Sequence, residues 1–142
     1  MANYNCVIRT NYFHVKDETA FQNMMETVRG RKDRIKLFEA KDESGSTVFG
    51  FGVYGGITGI CNTSDEDTDD AYDRFVESLK ACIADDDAII ILEVGHEKMK
   101  YVVGTATIIT SEGYEDIDLT FLALTKAADM LKNPEWETKC EY

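Results

Sequence analysis

The fold of this chain is decided by one apolar stretch, Ala88-Ile89-Ile90-Ile91-Leu92-Glu93-Val94. Branched aliphatic residues at almost every position are typical of a strand that is covered on both of its faces. Residues 95–98 then turn the chain, and residues 101–109 return with a second β-branched run. The two runs therefore predict an antiparallel hairpin inside a sheet.

Three more strands are predicted upstream of this hairpin, at residues 4–15, 35–40 and 47–54. Each is rich in β-branched and aromatic residues, and turn-forming residues at 42–46 join the last two. The strand at 47–54 alternates, with Phe49, Phe51 and Val53 on one side and glycines on the other. Such alternation predicts one buried face, and we expect the glycines to let a helix approach the sheet.

Three helices are predicted between and after these strands, over residues 17–29, 64–83 and 118–132. Asp17 is the expected N-cap of the first, and Gly30 is expected to end it as a left-handed residue. The second opens at Ser64 or Thr68. Pro134 ends the third, because the residue before a proline is disfavoured in the helical region.

The resulting element order is β-α-β-β-α-β-β-α, with short connections throughout. It predicts an α+β fold with a mostly antiparallel sheet of about five strands and helices packed on it. The 142 residues include one proline and no Pro-, Gly- or Ser-rich linker, so a single domain over residues 1–142 is expected.

Charge is unevenly distributed along the chain. The formal net charge is −12, and the first 40 residues are slightly basic, so the acidic excess lies beyond residue 40. Such a field repels nucleic acid and anionic membranes and attracts basic protein surfaces. We therefore expect binding to a basic protein, with no direct nucleic-acid or membrane binding.

Composition also indicates a compartment. The N-terminus carries no signal-peptide pattern, and no apolar run approaches the ~20 residues of a membrane helix. The four cysteines form no C-x-x-C pair and are expected to be reduced thiols, two or three of them buried. A cytoplasmic location is the expectation.

The acidic side chains concentrate at and after the start of the second predicted helix. Carboxylates in a first turn complement the helix dipole and keep a surface solvated, which is one interpretation. The other is a binding surface that imitates DNA, because DNA presents one negative charge per ~1.7 Å of its axis. The residues predicted to bind a partner are Asp65, Glu66, Asp67, Asp69, Asp70, Asp73, Glu77, Asp85, Asp86, Asp87, Glu112, Glu115 and Asp116.

Other motifs do not reach the threshold for a site. Asp65-x-Asp67-x-Asp69 begins like a calcium loop, but Asp70 replaces its glycine and Val76 its terminal glutamate. The G-x-G-x-x-G pattern at residues 50–55 lies inside a strand and opens no helix. His96-Glu97 is not followed by the second histidine of a zinc motif. No metal, cofactor or catalytic residue is predicted, although a small enzyme that uses His96 or a cysteine remains an alternative.

Two segments suggest self-association. The last predicted helix is apolar nearly all round its first half, which indicates core or, alternatively, a dimer face. The basic connector, residues 29–36, is expected to be solvated. Alternatively, it docks on the acidic stripe of a second copy, by which we mean the carboxylates of residues 65–77. A homodimer is therefore an open alternative.

Three stretches carry a resemblance: Arg9-Thr10-Asn11-Tyr12-Phe13 with Val15-Lys16-Asp17; Gly95-His96-Glu97-Lys98 leading to Tyr101-Val102-Val103-Gly104; and Asn133-Pro134-Glu135-Trp136-Glu137-Thr138 ending in Cys140-Glu141-Tyr142. From end to end the chain resembles a group of small, uncharacterised acidic proteins from phages and conjugative elements of Gram-positive bacteria. The resemblance implies a mobile genetic element as context, and cargo directed against host restriction or CRISPR systems. It assigns no catalytic residues.

The expected function is a non-enzymatic inhibitor that presents carboxylates where a host defence nuclease expects phosphates, as an anti-CRISPR or anti-restriction protein. The alternative is an intracellular adaptor or regulatory module that binds a protein through its C-terminal helix and tail. Salt separates the two, because binding through exposed charges weakens with ionic strength and binding through apolar surface does not.

Overall fold

A computed structural model describes residues 4–60 and 70–140 of the chain. Its elements, in chain order, are β1 (Asn5–Thr10), α1 (Glu18–Met25), β2 (Val28–Gly30), β3 (Lys36–Lys41), β4 (Thr47–Tyr54), β5 (Ile57–Ile60), α2 (Ala71–Cys82), β6 (Ile89–Glu97), β7 (Tyr101–Thr110), β8 (Gly113–Asp118) and α3 (Leu119–Leu131).

The main sheet has six strands in the order β3-β4-β1-β6-β7-β8, and every neighbouring pair is antiparallel. The predicted central hairpin is β6 and β7, in register from Ile89 opposite Ile109 to Glu97 opposite Tyr101. β2 and β5 form a separate two-stranded sheet. The α+β class and the mostly antiparallel sheet are therefore confirmed.

The hydrophobic core lies on one face of the main sheet, beneath α1 and α2. Its centre is a group of fully buried phenylalanines contributed by β4, both helices and the segment after β1: Phe13, Phe21, Phe49, Phe51 and Phe75. Phe13 and Phe21 meet edge to face with ring centroids 5.6 Å apart, a favourable aromatic geometry. The predicted buried side of β4 is confirmed, since Phe49, Phe51 and Val53 are all buried, but the residues of its other side between them are buried as well.

The first helix is shorter than its sequence pattern predicts. α1 ends at Met25, and Val28 pairs with Ile60 as part of β2. Gly30 is thus a strand residue rather than a helix end. A Cβ at Gly30 would collide with the backbone oxygen of Asp33, so glycine is needed there for close packing. Strand pairing with β5, which lies far along the chain, outweighs the local helical periodicity.

Residues 111–116, for which the sequence predicts neither helix nor strand, are largely strand. β8 pairs with β7 from Gly113 opposite Thr110 to Asp118 opposite Thr105, which gives six strands rather than about five. Acidic residues have low strand propensity, so local sequence does not predict β8. The free hydrogen-bonding edge of β7 supplies the stabilisation that the local sequence lacks.

Two predictions about burial are wrong within one chain. β6 was expected to be covered on both faces, but Ile90, Leu92 and Val94 are 37%, 48% and 57% exposed. α3 was expected to belong to the core, but none of its residues is buried. Both errors concern the same side of the sheet, because α3 leaves β8 there and its Leu119 rests against Gly104 of β7.

Candidate interaction surfaces

The predicted acidic stripe is only partly within the described residues. Asp65, Glu66, Asp67 and Asp69 lie outside them. α2 begins at Ala71, with Asp70 at its N-cap and Asp73 in its first turn. Asp73 and Glu77 are exposed, one helical turn apart. The described part of the stripe therefore follows the solvent side of α2.

Ion pairs at α2 reduce the net negative charge of this stripe. Asp70 lies 2.6 Å from Arg74 Nη1, and Glu77 lies 3.7 Å from Lys80 Nζ. Arg74 also donates to the backbone oxygen of Ile60 at 2.6 Å, which ties the helix to β5. Exposed pairs of this kind contribute at most about 1 kcal/mol each, so they neutralise charge more than they stabilise the fold.

A second group of carboxylates converges at one end of the sheet. Asp85, Asp86 and Asp87 lie between α2 and β6, Glu112 lies in the turn between β7 and β8, and Asp42 lies in the turn between β3 and β4. The register places all three connections at the same end, because Ile89 pairs with Ile109 and Lys41 with Thr47. We call Asp42, Asp85, Asp86, Asp87 and Glu112 the acidic end.

His14 bonds to two carboxylates of the acidic end, Asp42 and Asp87. Its Nε2 is 2.7 Å from Asp42 Oδ2, and its Nδ1 is 2.8 Å from Asp87 Oδ2. The backbone N–H of His14 also donates to Asp87 Oδ2, at 2.8 Å. Hydrogen bonds to Asp42 and then Asp87 raise the pKa of His14, and the bond to His14 is the main cause that lowers the pKa of Asp42.

This arrangement assigns His14 a structural role. Partial burial opposes ionisation of Asp87, but its bonds from the backbone and ring of His14 lower its pKa overall. Both ring nitrogens of His14 face carboxylates, so neither is directed to a substrate proton, as a general base requires. The sequence did not indicate this contact, because its three members lie in connections 28 and 73 residues apart.

The two remaining predicted acids point to opposite faces of the sheet. Asp116 is on the side of α2, where it accepts a 2.8 Å hydrogen bond from the hydroxyl of Thr107. Glu115 is opposite Ile108 on the other side. Successive strand residues alternate in direction, so β8 cannot present both carboxylates to one partner.

The basic connector lies at the other end of the sheet. Lys32 packs over Gly55 and Arg31 over Gly56, just after β4 ends at Tyr54. Arg31 is also held by a 2.8 Å backbone bond to Gly56. The sheet is therefore acidic at the end where β6 begins and basic at the end where β4 stops.

A polar cleft beside this connector does not form a nucleophile. Its lining includes Tyr4, Cys6, Arg31 and Glu93. Tyr4 donates to Glu93 Oε2 at 2.8 Å, and burial together with this bond raises the pKa of the phenol. Burial, reinforced by Glu93, also raises the pKa of the Cys6 thiol. Reactive cysteines need a lowered pKa, so Cys6 is a poor candidate for catalysis.

The second described thiol environment agrees with this view. Burial raises the pKa of Cys82 as well. Of the cysteines expected to include two or three buried thiols, Cys6 and Cys82 are partly buried, Cys140 is exposed and Cys61 lies outside the described residues. His96 is exposed on β6, and Asn5 is opposite it on β1.

The most unusual surface is the side of the sheet away from α1 and α2, which we call the open face. Its central side chains come from β1, β6 and β7 and include Val7, Ile90, Leu92, Val94 and Val102, which are 37–63% exposed. Val7, Val94 and Val102 border an apolar depression together with Met99. Among the positions of the six strands that point to this face, Glu115 on the edge strand is the only acid.

The open face also carries cations and aromatic rings towards β3 and β4. The guanidinium carbon of Arg9 is 4.9 Å from the ring centroid of Phe38, and Lys36 Nζ is 5.5 Å from that of Tyr54. The Phe38 ring lies over Gly52, where a Cβ would be 3.4 Å from it. The glycines of β4 thus make room for an aromatic ring, and not for the helix predicted from sequence.

α3 has the reverse of the usual helix pattern. Its partly buried residues are three small ones and one leucine: Thr120, Ala127, Ala128 and Leu124. Five of its six large apolar residues are 50–74% exposed, and they are Leu119, Phe121, Leu122, Met130 and Leu131. A helix that is apolar all round is normally buried, and short isolated helices are marginal in water.

The exposed part of α3 represents a substantial unused hydrophobic stabilisation. Full burial of a large apolar side chain contributes about 1.5–3 kcal/mol, so these five, at 50–74% exposure, leave roughly 5–9 kcal/mol unrealised. Exposed apolar surface of this extent marks an interaction site. The all-round apolarity of residues 119–131 predicts core or a dimer face, and the core interpretation is wrong, since no residue of α3 is buried.

Within residues 4–60 and 70–140, no group of three or more His, Cys, Asp or Glu side chains is placed to hold a metal ion. Among the described helices, none has the length and apolarity needed to cross a membrane. Comparison with known protein families, curated proteins and solved structures finds no match to the chain. The surfaces above are therefore the basis for assigning a function.

Proposed function

We propose that the chain is a non-enzymatic, cytoplasmic inhibitor that binds a basic, nucleic-acid-handling host protein through its carboxylates. The supporting observation is the acidic end, where acids of three connections lie at one end of the sheet and two of them, Asp42 and Asp87, bind His14. Asp73 and Glu77 continue the negative surface along the exposed side of α2. A nuclease of a restriction or CRISPR system is the class of partner that such a surface fits.

The carboxylates of this surface can bind the cationic side chains with which a nuclease binds DNA. Proteins that grip DNA present rows of Lys and Arg, and a rigid array of carboxylates competes for them. Asp85 and Asp86 are exposed, and Asp85 Oδ1 forms an ion pair with Lys16 Nζ at 3.2 Å. Asp87 is engaged by His14, so we assign it to positioning rather than to contact. Solvated charges of this kind chiefly accelerate encounter and confer specificity.

The test is charge reversal with a matched control. Asp73→Lys, Glu77→Lys and Asp86→Lys should abolish capture of a bacterial partner at low salt and leave the circular dichroism spectrum unchanged. The control is the triple variant Glu26→Lys, Asp33→Lys and Glu39→Lys, which changes net charge equally at exposed positions elsewhere. If both triple variants lost capture to the same extent, net charge, and not this surface, would determine binding.

A second candidate is an adaptor that binds through its C-terminal helix and tail. The observation that favours it is α3, five of whose large apolar side chains are at least 50% exposed. Binding by this surface would be insensitive to salt and would be lost when residues 119–140 are removed. Charge reversal on α2 would leave it intact.

A further inference from the structure

We propose that the open face and α3 form the interface of a homodimer, in which α3 of each copy lies on the open face of the other. This inference is independent of the acidic surface, which lies on α2 and at one end of the sheet. It commits the exposed helix to a second copy of this chain.

The first argument is that β6 has apolar side chains on both of its faces. Ile89 and Ile91 are buried beneath α2, while Ile90, Leu92 and Val94 alternate with them on the open face. A strand that faces water on one side normally alternates apolar with polar residues. The apolar run is therefore satisfied only if something covers the open face.

The second argument is dimensional. β4, β1, β6 and β7 are neighbours, and four strands at about 4.8 Å spacing present a strip roughly 15–20 Å wide. α3 has 13 residues, which makes it about 20 Å long and about 10 Å wide with its side chains. One such helix fits the strip. Because α3 follows β8 directly, with Leu119 beside Gly104, it starts at the border of that strip.

The third argument is area. Six exposed apolar residues belong to the open face and its border turn, and five to α3: Val7, Ile90, Leu92, Val94, Met99, Val102, Leu119, Phe121, Leu122, Met130 and Leu131. Each fully exposed side chain would contribute about 60–120 Å², and these eleven are 37–81% exposed, about 60% on average. They therefore offer roughly 400–800 Å² per copy. Two such contributions approach the ~1,200–2,000 Å² of total surface that a stable specific interface buries.

The fourth argument is charge. Two copies with a net charge of −12 repel each other over most of their surfaces. The open face is the exception, since its β1 and β3 positions carry Arg9 and Lys36 and its only acid is the peripheral Glu115. The α3 segment and the tail after it carry three exposed acids and three exposed lysines, and are therefore formally neutral: Asp129, Glu135, Glu137, Lys126, Lys132 and Lys139. Docking of α3 on the open face therefore avoids the repulsion that opposes contact between the other surfaces of two copies.

The experiment combines two variants that each damage one half of the interface. The arm variant is Leu122→Glu with Met130→Glu, and the face variant is Leu92→Lys with Val94→Lys. All four positions are at least 48% exposed in the single chain, so the fold should tolerate them. Leu37→Lys, on the α2 side of β3 and 39% exposed, is the matched control.

We expect sedimentation equilibrium to show a dimer for the wild type and for Leu37→Lys. Each double variant alone should weaken dimerisation about 30-fold or more, the effect of losing a central hot spot. An equimolar mixture of the two should regain a dimer, because one intact arm then meets one intact face.

Two results would overturn the proposal. One is a wild-type chain that stays monomeric at about 100 μM, since an interface of this area should hold at that concentration. The other is a wild-type dimer whose two variants, mixed, remain monomeric, because that excludes a contact between an intact arm and an intact face. Neither result depends on the captured bacterial partner, so failure here is distinct from failure of the proposed function.

Discussion

The two faces of the main sheet are built from the same strands, and they differ in what covers them. The face under α1 and α2 holds Phe49 and Phe51, both fully buried. The open face holds Leu92 and Val94, about half exposed, although their sequence context is equally apolar. Apolarity in a strand therefore indicates that cover is needed, and it does not say whether the cover comes from the same chain.

The largest predicted contrast between the faces is in stability. Phe49→Ala should lower the free energy of unfolding by about 3–5 kcal/mol, because it leaves a cavity in a fully packed site. Phe121→Ala, at a side chain that is 68% exposed, should change it by less than about 0.5 kcal/mol. Both are measured by urea unfolding in the Leu92→Lys, Val94→Lys background, where dimerisation does not contribute.

The outcome for Phe121 decides what the comparison means. If Phe121→Ala destabilises that monomeric background as much as Phe49→Ala does, α3 packs on its own chain and the two faces are not different in kind.

A smaller effect concerns α3 as a separable arm. A chain that stops after Asp118 should keep its far-ultraviolet signature of sheet and its core, because α3 contributes no buried residue. Its melting temperature should become independent of protein concentration, whereas that of the full chain should rise with concentration as dimer forms. Thermal scans over a hundredfold concentration range measure this. An unfolded truncation product would show that α3 belongs to the core after all.

Much of the fold was predictable because local patterns agree with tertiary contacts. The β6–β7 hairpin, the alternating β4 and the helix around Phe75 and Leu79 were all recognised from spacing. β2 and β5 were not, since they pair with each other across a long stretch of sequence, and β8 was not, since its own residues are acidic. Of the predicted partner-binding acids, Asp70, Asp73 and Glu77 follow α2, but Glu115 and Asp116 are separated by strand alternation. The His14 contact required the fold.

The acidic end should show a pH dependence that the open face lacks. The pKa of His14 is raised, so its stabilisation is complete below its ordinary pKa of 6.5 and is lost as pH rises through the higher folded value. The pKa values of Asp42 and Asp87 are lowered, so their contribution persists above 3.8 and is lost as pH falls further.

Wild type should therefore exceed His14→Gln in stability most clearly between about pH 4 and 6.5, and the difference should shrink by about pH 9. Urea unfolding at several pH values measures it. A difference that grows with pH would contradict the assigned charge state of His14. Leu92→Thr, on the open face, is the control that should give a pH-independent change.

The smallest predicted effect is at the end of α3. Lys132 has a φ of 55°, in the left-handed region that favours glycine. Lys132→Gly should stabilise the helix by about 0.5–1 kcal/mol and thus modestly tighten dimerisation. Sedimentation of this variant beside Lys126→Gly, a mid-helix change expected to weaken α3 by about 1 kcal/mol, measures it. The same sign for both would argue against α3 as the docking element.

The central claim is that an apolar open face receives α3 of a second copy while carboxylates elsewhere serve a different partner. Sedimentation equilibrium of the wild-type chain at about 0.05 and 0.5 M salt, a roughly threefold change in screening length, tests it most directly. The prediction is a dimer at both salt concentrations, with a dissociation constant that changes less than about threefold, because buried apolar contacts are not screened. A monomer, or a dimer that dissociates as salt increases, would contradict it. The latter result would instead indicate head-to-tail docking of the basic connector on the acidic end.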